Sequence, residues 1–317
     1  MAAENFTSVQ EFILVGLTNH RKTQMLLFVV ILLTYSFTVL GNLMIIVLVL
    51  TDFHLQTPMY FFLTNLSTLE ICFVTTTEPQ MLAHLMAGNG VLPFTHCVAQ
   101  MYIATSLASI ECFLLAAMAY DRYLAICRPL VYTVAMGGWH SLQLAFASWA
   151  IGTILASIPM IFTLRLPLCG PNLINHFCCE VPLLLKLSCA DIQVTEQIVV
   201  IFSSFILLFP LSLILTSYGM ILWSVLQIRS TAGRRKAFST CASHLAVVSL
   251  FYGTAMFMYL IPRSAVNSNY DKWIAVFYAV VTPMLNPIIY TLRNKDVHDA
   301  AAKMMGRWGL SYRHQVV

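Results

Sequence analysis

Long apolar stretches separated by short polar ones dominate the sequence. Each of seven stretches reaches the length of about 20 residues that spans the hydrocarbon core of a bilayer as a helix. The seven cover residues 25–50, 58–86, 97–127, 139–162, 195–227, 237–261 and 272–292. From Lys295 to about Met305 charged and apolar residues alternate, which is typical of an amphipathic helix on a membrane surface. We therefore predict an all-α membrane protein, a bundle of seven transmembrane helices followed by a short amphipathic C-terminal helix.

Composition agrees with this pattern. The 317 residues are 59% hydrophobic and 9% charged, whereas soluble domains carry about 25% charged residues. We predict a single domain, with an extracellular segment 1–24, a helix bundle 25–292 and a cytoplasmic tail 293–317. The sequence shows no internal repeat, which argues against a transporter built from duplicated halves. It also has no phosphate-binding loop, zinc-protease motif or serine-nucleophile elbow, so we expect no enzyme and no nucleic-acid partner.

The distribution of basic residues predicts the orientation. With the N-terminus outside, 11 of the 17 Lys and Arg residues lie on the cytoplasmic side and 6 on the outer side, as the positive-inside rule requires. Asn5 lies in an Asn-Phe-Thr sequon and is then a candidate glycosylation site, whereas the sequon at Asn65 lies inside an apolar segment and should be unreachable.

Five of the nine cysteines fall on the predicted outer side, where disulfides persist. Five is an odd number, so one thiol is left over, and the sequence alone does not give the pairing. These cysteines are Cys97, Cys169, Cys178, Cys179 and Cys189.

An acidic and a basic residue adjoin at the cytoplasmic end of the third segment, in the run Met-Ala-Tyr-Asp-Arg-Tyr-Leu-Ala-Ile-Cys at 118–127. They could be a charge pair that only snorkels to the membrane surface. They could also form a switch, in which Asp121 holds Arg122 in the resting state and releases it to a partner.

The run 118–127 resembles the signature of odorant receptors, and further segments match that family in order. The chain is similar, over about residues 10–300, to class II (tetrapod-type) odorant receptors, which are rhodopsin-like G-protein-coupled receptors. The further segments are Gly41-Asn42, Pro58 to Leu63, Ser217-Tyr218, Lys236 to Leu245, Phe251 to Thr254 and Pro283 to Tyr290.

The resemblance implies a receptor in the plasma membrane of olfactory cilia that binds an odorant and activates a stimulatory G protein, raising cAMP. Arg122, with Tyr218 and Tyr290 nearby on activation, would receive the G protein, and Lys236 would flank that cleft. The residues implied in coupling and switching are Asp121, Arg122, Tyr123, Tyr218, Lys236, Asn286, Pro287 and Tyr290.

The resemblance also implies the disulfides Cys97–Cys179 and Cys169–Cys189, so that Cys178 takes part in neither disulfide. The run His176 to Glu180 contains donors that bind metal ions. Because Cys179 is assigned to a disulfide and the remaining donors lie within five loop residues, the run by itself predicts only a weak metal site.

Acidic residues inside a membrane are costly and usually functional. Glu70 and Glu111 match acidic positions of the family and would form a polar cluster with Asn42 and Asn286. This cluster could bind a sodium ion or share a proton, or it could be a structural network of neutral acids. Apart from that sodium ion we expect no cofactor. Glu78 is not part of the family pattern, and we expect it to have a packing or interfacial role rather than a place in the ligand pocket.

A ligand site in a helix bundle is a mostly apolar cavity with a few polar groups. Helical spacing places candidate residues for such a site on single strips of the third, fifth and sixth segments, at positions that match the family's odorant contacts. They are Ala104, Thr105, Ala108, Ser109, Phe202, Ser203, Ile206, Tyr252, Ala255, Met256 and Tyr259.

These side chains suit a small, mostly neutral ligand, and the lack of an acid at the level of Ala104 argues against a biogenic amine. The alternative is a rhodopsin-like receptor for a non-odorant small molecule outside the olfactory epithelium, including a carboxylic acid that pairs with Arg263. A retinal pigment is excluded, because Lys272 lies at the outer edge of the seventh segment rather than midway along it.

Overall fold

The computed structural model describes residues 9–169, 171–227, 230–260, 268–292 and 295–307, and these form a helix bundle with a small sheet at one end. The long helices are α1 (Arg21–Thr51), α2 (Pro58–Ala87), α3 (Phe94–Cys127), α5 (Gly138–Leu164), α7 (Gln193–Leu226) and α8 (Thr231–Leu260). The seventh pass consists of α9 (Ser268–Val276), a π-helical turn (Phe277–Val281) and α10 (Thr282–Leu292). The shorter elements are β1 (Glu11–Leu14), β2 (Val91–Pro93), α4 (Pro129–Ala135), β3 (Leu173–Ile174), α6 (Val181–Leu185) and α11 (Lys295–Arg307).

Six of the seven passes are long and apolar enough to cross a membrane, and α2 is the exception. Glu70 and Glu78 lower its mean hydropathy, yet both side chains are buried in the bundle. The helix has 30 residues and packs against α1 and α3. Buried acids on a helix that is enclosed by its neighbours are compatible with a membrane span. The seven-helix bundle predicted from the sequence is therefore confirmed, as is the terminal helix α11.

The seventh pass departs from a regular α-helix between Phe277 and Val281. There the hydroxyl of Thr282 donates to the carbonyl of Phe277 at 3.3 Å. A side-chain donor can satisfy a carbonyl that a non-α turn frees inside a membrane. The apolar pattern of the sequence contains no signal for this turn, because it depends on the packing of the seventh pass against α2 and α8.

Helix α3 lies at the centre of the bundle, in contact with α2, α5, α7 and α8. It approaches α5 closely at Gly152. A Cβ atom at this glycine would lie 2.6 Å from the backbone nitrogen of Ile110 and 2.7 Å from its Cα. Small residues allow this kind of backbone approach in membrane proteins.

The end of the bundle that carries the sheet is called here the N-terminal face. Strand β1 pairs antiparallel with β2 and parallel with β3, which ties the N-terminal segment to two loops. The backbone N–H of Leu14 donates to Gly90 at 2.8 Å, and a Cβ at Gly90 would lie 1.9 Å from the carbonyl oxygen of Leu14. Lys272, expected at the outer edge, is buried and donates to the carbonyl of Gly16 at 3.0 Å. This sheet was not predicted, since its strands are only two to four residues long.

The opposite end, the C-terminal face, carries α4 and α11. Val297 and Ala300 of α11 are buried in the main core, so the apolar side of this helix faces the bundle. The Lys303 ammonium lies 3.7 Å from the Asp52 carboxylate. A hydrogen bond from the His54 backbone N–H lowers the pKa of Asp52, and the charge of Lys303 adds to that effect.

Substitution of Gly152 tests the α3–α5 contact. We expect Gly152→Ala to lower the melting temperature of the purified protein, because the added methyl group clashes with backbone atoms that can move only if the helices separate. Such overpacking costs about 1–3 kcal/mol. Gly219 on α7 is the matched control, since a Cβ there meets nothing within 4 Å. A Gly152→Ala protein as stable as the Gly219→Ala protein would contradict this packing.

Candidate ligand cavity and the Asp-Arg-Tyr triplet

A cavity opens between α2, α3, α7 and the seventh pass, close to the N-terminal face. Its empty volume is about 780 Å³, part of which is open to solvent. This space suits a small molecule. The lining residues are Phe73, Thr77, Gln100, Met101, Ala104, Thr105, Ala108, Pro159, Phe177, Cys178, Cys179, Glu180, Val181, Pro182, Val199, Ser203, Ala275, Tyr278 and Ala279.

The loop before α6 forms the roof of the cavity. The structure contains both disulfides that the resemblance implied, and Cys97–Cys179 fastens this loop to the start of α3. One turn further along α3, the Gln100 side chain accepts from the backbone N–H of Cys179 at 3.1 Å. The Gln100 amide donates to the side chain of Gln80 at 2.6 Å and to the carbonyl of Thr76 at 3.2 Å. Gln100 therefore joins the loop, α2 and α3.

Aromatic rings form the floor. Phe73 and Tyr278 pack edge to face with ring centroids 5.7 Å apart, and Phe251 lies behind them, 6.0 Å from Tyr278. Edge-to-face packing at this separation is the favourable arrangement for aromatic pairs. Tyr252 lies deeper in the bundle, where its hydroxyl donates to the carbonyl of Cys112 at 3.4 Å.

Most of the residues predicted on α3 line the cavity. Only one of those predicted on α7 does so, and none of the described ones predicted on α8. Ala104, Thr105, Ala108 and Ser203 face the cavity. The Ser109 hydroxyl instead donates to the carbonyl of Thr105 at 2.7 Å, within its own helix. Of the described residues of α8, none lines the cavity, because the aromatic floor separates this helix from it. The predicted residues that do not line the cavity are Ser109, Phe202, Ile206, Tyr252, Ala255 and Met256.

The sequence reasoning missed the contributions of α2, the roof loop and the seventh pass. The disulfide Cys97–Cys179 was the available signal for the roof, because it must place the loop 177–182 over α3. No comparable signal existed for Tyr278 and Ala279, which reach the cavity from the π-helical turn.

The acidic cluster forms midway through the bundle. The Asn286 amide donates to the Glu70 carboxyl, and Glu111 is buried within electrostatic range of Glu70. Asn42 is buried too, but its amide donates to the carbonyl of Thr38 in its own helix at 3.0 Å. Three oxygens have no hydrogen-bond partner among the described residues: Glu70 Oε2, Glu111 Oε1 and Asn286 Oδ1.

Glu78 is fully buried and lies outside both the acidic cluster and the cavity lining, although its neighbour Thr77 lines the cavity. Neither carboxyl oxygen has a hydrogen-bond partner among the described residues. This position agrees with the expectation that Glu78 is not a pocket residue.

The Asp-Arg-Tyr triplet lies at the C-terminal face, and its acid has a different partner from the one expected. Asp121 accepts a hydrogen bond from the Tyr132 hydroxyl of α4 at 2.8 Å, and no ion pair within 4.0 Å joins it to Arg122 in the described chain. Burial, followed by the charge of Asp121, raises the pKa of Tyr132, so this hydroxyl stays a donor. In this structure the hydrogen-bond partner of Asp121 is therefore the neutral hydroxyl of Tyr132 on α4, and the switch in which Asp121 holds Arg122 stays a prediction.

Arg122 lies within electrostatic range of Tyr218 on α7, His244 on α8 and Tyr290 on α10. Tyr218 shares a hydrogen bond of 2.7 Å with Nδ1 of His244, while the Tyr290 hydroxyl is buried with no partner among the described residues. Tyr123 and Tyr218 both pack against the core cluster of Ile221, Val225 and Cys241 at this face. Pro287 meets α1 at Gly41, where a Cβ would lie 3.2 Å from the proline ring.

Comparison with known proteins identifies the family. The family described as Olfactory receptor matches residues 30–307 of the chain. The chain belongs to the olfactory receptor family. It is 49% identical to mouse olfactory receptor 2B6 over 311 residues, which cover 98% of this chain and 99% of the relative. It is 48% identical to human olfactory receptor 2G3, over 96% of this chain and 99% of the relative. The chain is thus a multi-pass membrane receptor and not an enzyme.

Several predicted positions of the receptor lie outside the described residues. Asn5 and Arg263 belong to segments that the structure does not describe, and the side chains of Lys236 and Tyr259 are not described either. Their predicted roles stay predictions.

Substitution of Gln100 tests how the roof is held. We expect Gln100→Leu to accelerate amide hydrogen exchange in residues 176–182, because Cys179 loses its acceptor and α2 its link to the loop. Hydrogen-exchange mass spectrometry of the purified receptor measures this rate. Gln197→Leu is the control, since Gln197 is an exposed residue near the same face. Unchanged exchange in Gln100→Leu would show that the disulfide alone holds the roof.

Proposed function

We propose that the receptor binds small, volatile, mostly neutral odorants in the cavity beneath the roof loop. The observation that supports this most directly is the cavity itself, with mostly apolar walls and four lining residues that carry hydroxyl groups, Thr77, Thr105, Ser203 and Tyr278. Such a lining suits an alcohol, aldehyde, ketone or ester, for which apolar burial supplies affinity and a single hydrogen bond supplies orientation. A ligand with few atoms binds weakly, so we expect micromolar or weaker affinity.

We propose further that ligand binding activates a stimulatory G protein and raises cAMP. The support is the arrangement of Arg122 with Tyr218, His244 and Tyr290 at the C-terminal face, together with membership of the receptor family. A ligand activates the receptor by binding the active arrangement more tightly than the resting one. In this proposal the N-terminal face is extracellular, and the receptor resides in the ciliary membrane of olfactory neurons.

The acidic cluster is proposed to hold a sodium ion or a shared proton. The three partnerless oxygens of Glu70, Glu111 and Asn286 are hard donors of the kind that bind sodium, so the residues fit such an ion. A proton shared between Glu70 and Glu111 satisfies the same chemistry, because two neighbouring carboxylates do not both ionise easily. Either species would be held between α2, α3 and α10, which carry Glu70, Glu111 and Asn286 respectively.

A cAMP assay tests the function. Cells that carry the receptor and the olfactory stimulatory G protein are screened with a panel of volatile neutral and acidic odorants. We expect Ala108→Leu to abolish or strongly reduce the response, because the larger side chain fills the cavity. Ala83→Leu, the same change at an exposed position of α2, should leave it intact. Arg122→Ala should remove the response to every odorant without removing ligand binding.

Equal surface expression of all variants must be verified by antibody staining. A response that survives both Ala108→Leu and Arg122→Ala would contradict the proposal. A response to carboxylic acids alone would favour the non-odorant alternative.

Substitution of two serines tests whether the ligand binds in this cavity or in the larger site expected from the sequence. We expect Ser203→Ala to change the potency of a hydroxyl- or carbonyl-containing agonist by about 2- to 10-fold, since one hydrogen bond contributes about 0.5–1.5 kcal/mol. Ser109→Ala should leave potency unchanged, because its hydroxyl bonds within α3. Concentration–response curves measure both. The reverse pattern would place the ligand deeper than the cavity described here.

A further inference from the structure

We propose that a groove on the lipid-facing side of the bundle, between α3, α5 and α7, binds a sterol whose hydroxyl group points toward the C-terminal face. The groove is called here the lateral groove, and it runs along residues 113–123 of α3, 144–151 of α5 and 213–220 of α7. The proposal concerns lipid binding, so it holds or fails separately from the odorant function.

The lateral groove lies in the part of the bundle that crosses the membrane. Each of the three helices that line it is long and apolar enough to span a bilayer. Its empty volume is about 1040 Å³, part of which is open to the surroundings, and it shares no lining residue with the ligand cavity. Tyr120, Ile151, Leu213 and Met220 line it and are exposed on the surface of the bundle. A molecule that fills the groove therefore enters from the lipid.

Small side chains form much of the wall of the lateral groove. Ala116 and Ala117 of α3 and Ser148 of α5 are buried, and Ala147 of α5 is half-buried. Small residues allow a neighbouring molecule to approach a helix closely. A flat and rigid ring system can use such a wall over its whole length. A flexible acyl chain has to give up many bond rotations to do the same, which costs entropy. The shape of the wall therefore favours a sterol over a phospholipid chain.

The lateral groove is apolar at the end that lies midway through the bundle. Phe113, Ile151 and Leu213 line it there with side chains that contain only carbon and hydrogen. The distance along α3 from Phe113 to Tyr123 is about 15 Å, given the rise of an α-helix. This is an elongated space of the kind that the rings and tail of a sterol occupy.

The opposite end, toward the C-terminal face, carries hydroxyl groups. Those of Tyr120, Tyr123 and Ser217 make no hydrogen bond within the described part of the chain. The hydroxyls of Ser148 and Thr216, by contrast, donate to carbonyls of their own helices at 2.8 and 2.7 Å. Tyrosine side chains commonly lie where a membrane meets water. A sterol has the same polarity, with one hydroxyl group at the end of a long apolar body.

A sterol in the lateral groove would contact three helices at once. At the hydroxyl-bearing end α3 and α7 are already joined, because the Cys127 thiol donates to the carbonyl of Met220 at 3.7 Å. Tyr120 and Tyr123 directly flank Asp121 and Arg122 in the sequence. Sterol binding would therefore stabilise α3, α5 and α7 in this arrangement beside the Asp-Arg-Tyr triplet.

Photolabelling of the purified receptor in phosphatidylcholine nanodiscs tests the site. The probe is a cholesterol analogue that carries a photoreactive diazirine, and the labelled peptides are mapped by mass spectrometry. We expect labelling to concentrate in residues 113–123, 144–151 and 213–220, and added cholesterol should suppress it. Epicholesterol, in which the hydroxyl has the opposite configuration, should suppress it less, because its hydroxyl points away from the polar end of the groove.

Variants test the wall and the polar end separately. Ala147→Phe should remove the labelling that cholesterol suppresses, because the ring fills the groove, whereas Ala83→Phe at an exposed position of α2 should not. Ser217→Ala and Tyr120→Phe should each raise the cholesterol concentration needed for suppression by about 2- to 10-fold, the effect of one hydrogen bond. Thr216→Val is the matched control and should change nothing, since that hydroxyl bonds within α7.

The wild-type map and the hydroxyl variants keep the test decisive if Ala147→Phe does not fold. The proposal is overturned if the probe labels all lipid-facing helices alike, or if cholesterol does not suppress the labelling, since phospholipid chains then fill the groove. It also fails if cross-links between two receptors map to the groove in place of the probe, which would make a second copy of the chain its occupant.

Discussion

The central position of α3 is the constraint on which the rest of the structure depends. In an apolar stretch of 18 residues in this helix, 72% of the residues are buried in the bundle. The corresponding share is 22% for α1, 33% for α5 and 28% for α7. A helix enclosed in this way can carry polar groups that would be too costly beside lipid. The amide of Gln100, the acid of Glu111 and the pair Asp121-Arg122 follow one another along α3 from the N-terminal to the C-terminal face. The close contact at Gly152 holds this helix against α5.

This succession places residues of the cavity, of the acidic cluster and of the Asp-Arg-Tyr triplet on one helix. The cavity touches α3 at Ala104 and Ala108, and Glu111 lies one turn below. At the far end Arg122 lies within electrostatic range of Tyr218 on α7, His244 on α8 and Tyr290 on α10. All three groups of residues therefore lie along the same helix. A ligand that moves α2 or the seventh pass relative to α3 changes the surroundings of the cavity and of the acidic cluster together.

The roof loop has a composition unlike that of the helices around the cavity. The helical walls are apolar with scattered hydroxyls, whereas the roof supplies Cys178 and the carboxylate of Glu180. The cavity thus has mostly apolar walls and a roof that supplies a thiol and a carboxylate. The disulfide Cys97–Cys179 joins the roof loop to α3, so the roof stays in place above the apolar walls.

The sequence by itself determined the seven helices, the terminal amphipathic helix and the family, because apolar length and local motifs specify these features without reference to packing. Helical spacing also placed Ala104, Thr105 and Ala108 correctly on a common strip of α3. Ser203 lies on α7, and its place beside that strip came from the family resemblance.

Only the tertiary structure decided how far the cavity extends and which partners the polar groups have. The aromatic floor excludes Tyr252 and the other described residues of α8 from the cavity, and Tyr132 replaces Arg122 as the partner of Asp121. The same applies to the sheet on the N-terminal face and to the meeting of His176, Cys178 and Glu180. Each of these features depends on contacts between segments or on the path of an irregular loop. The periodicity of a single helix contains no information about such contacts.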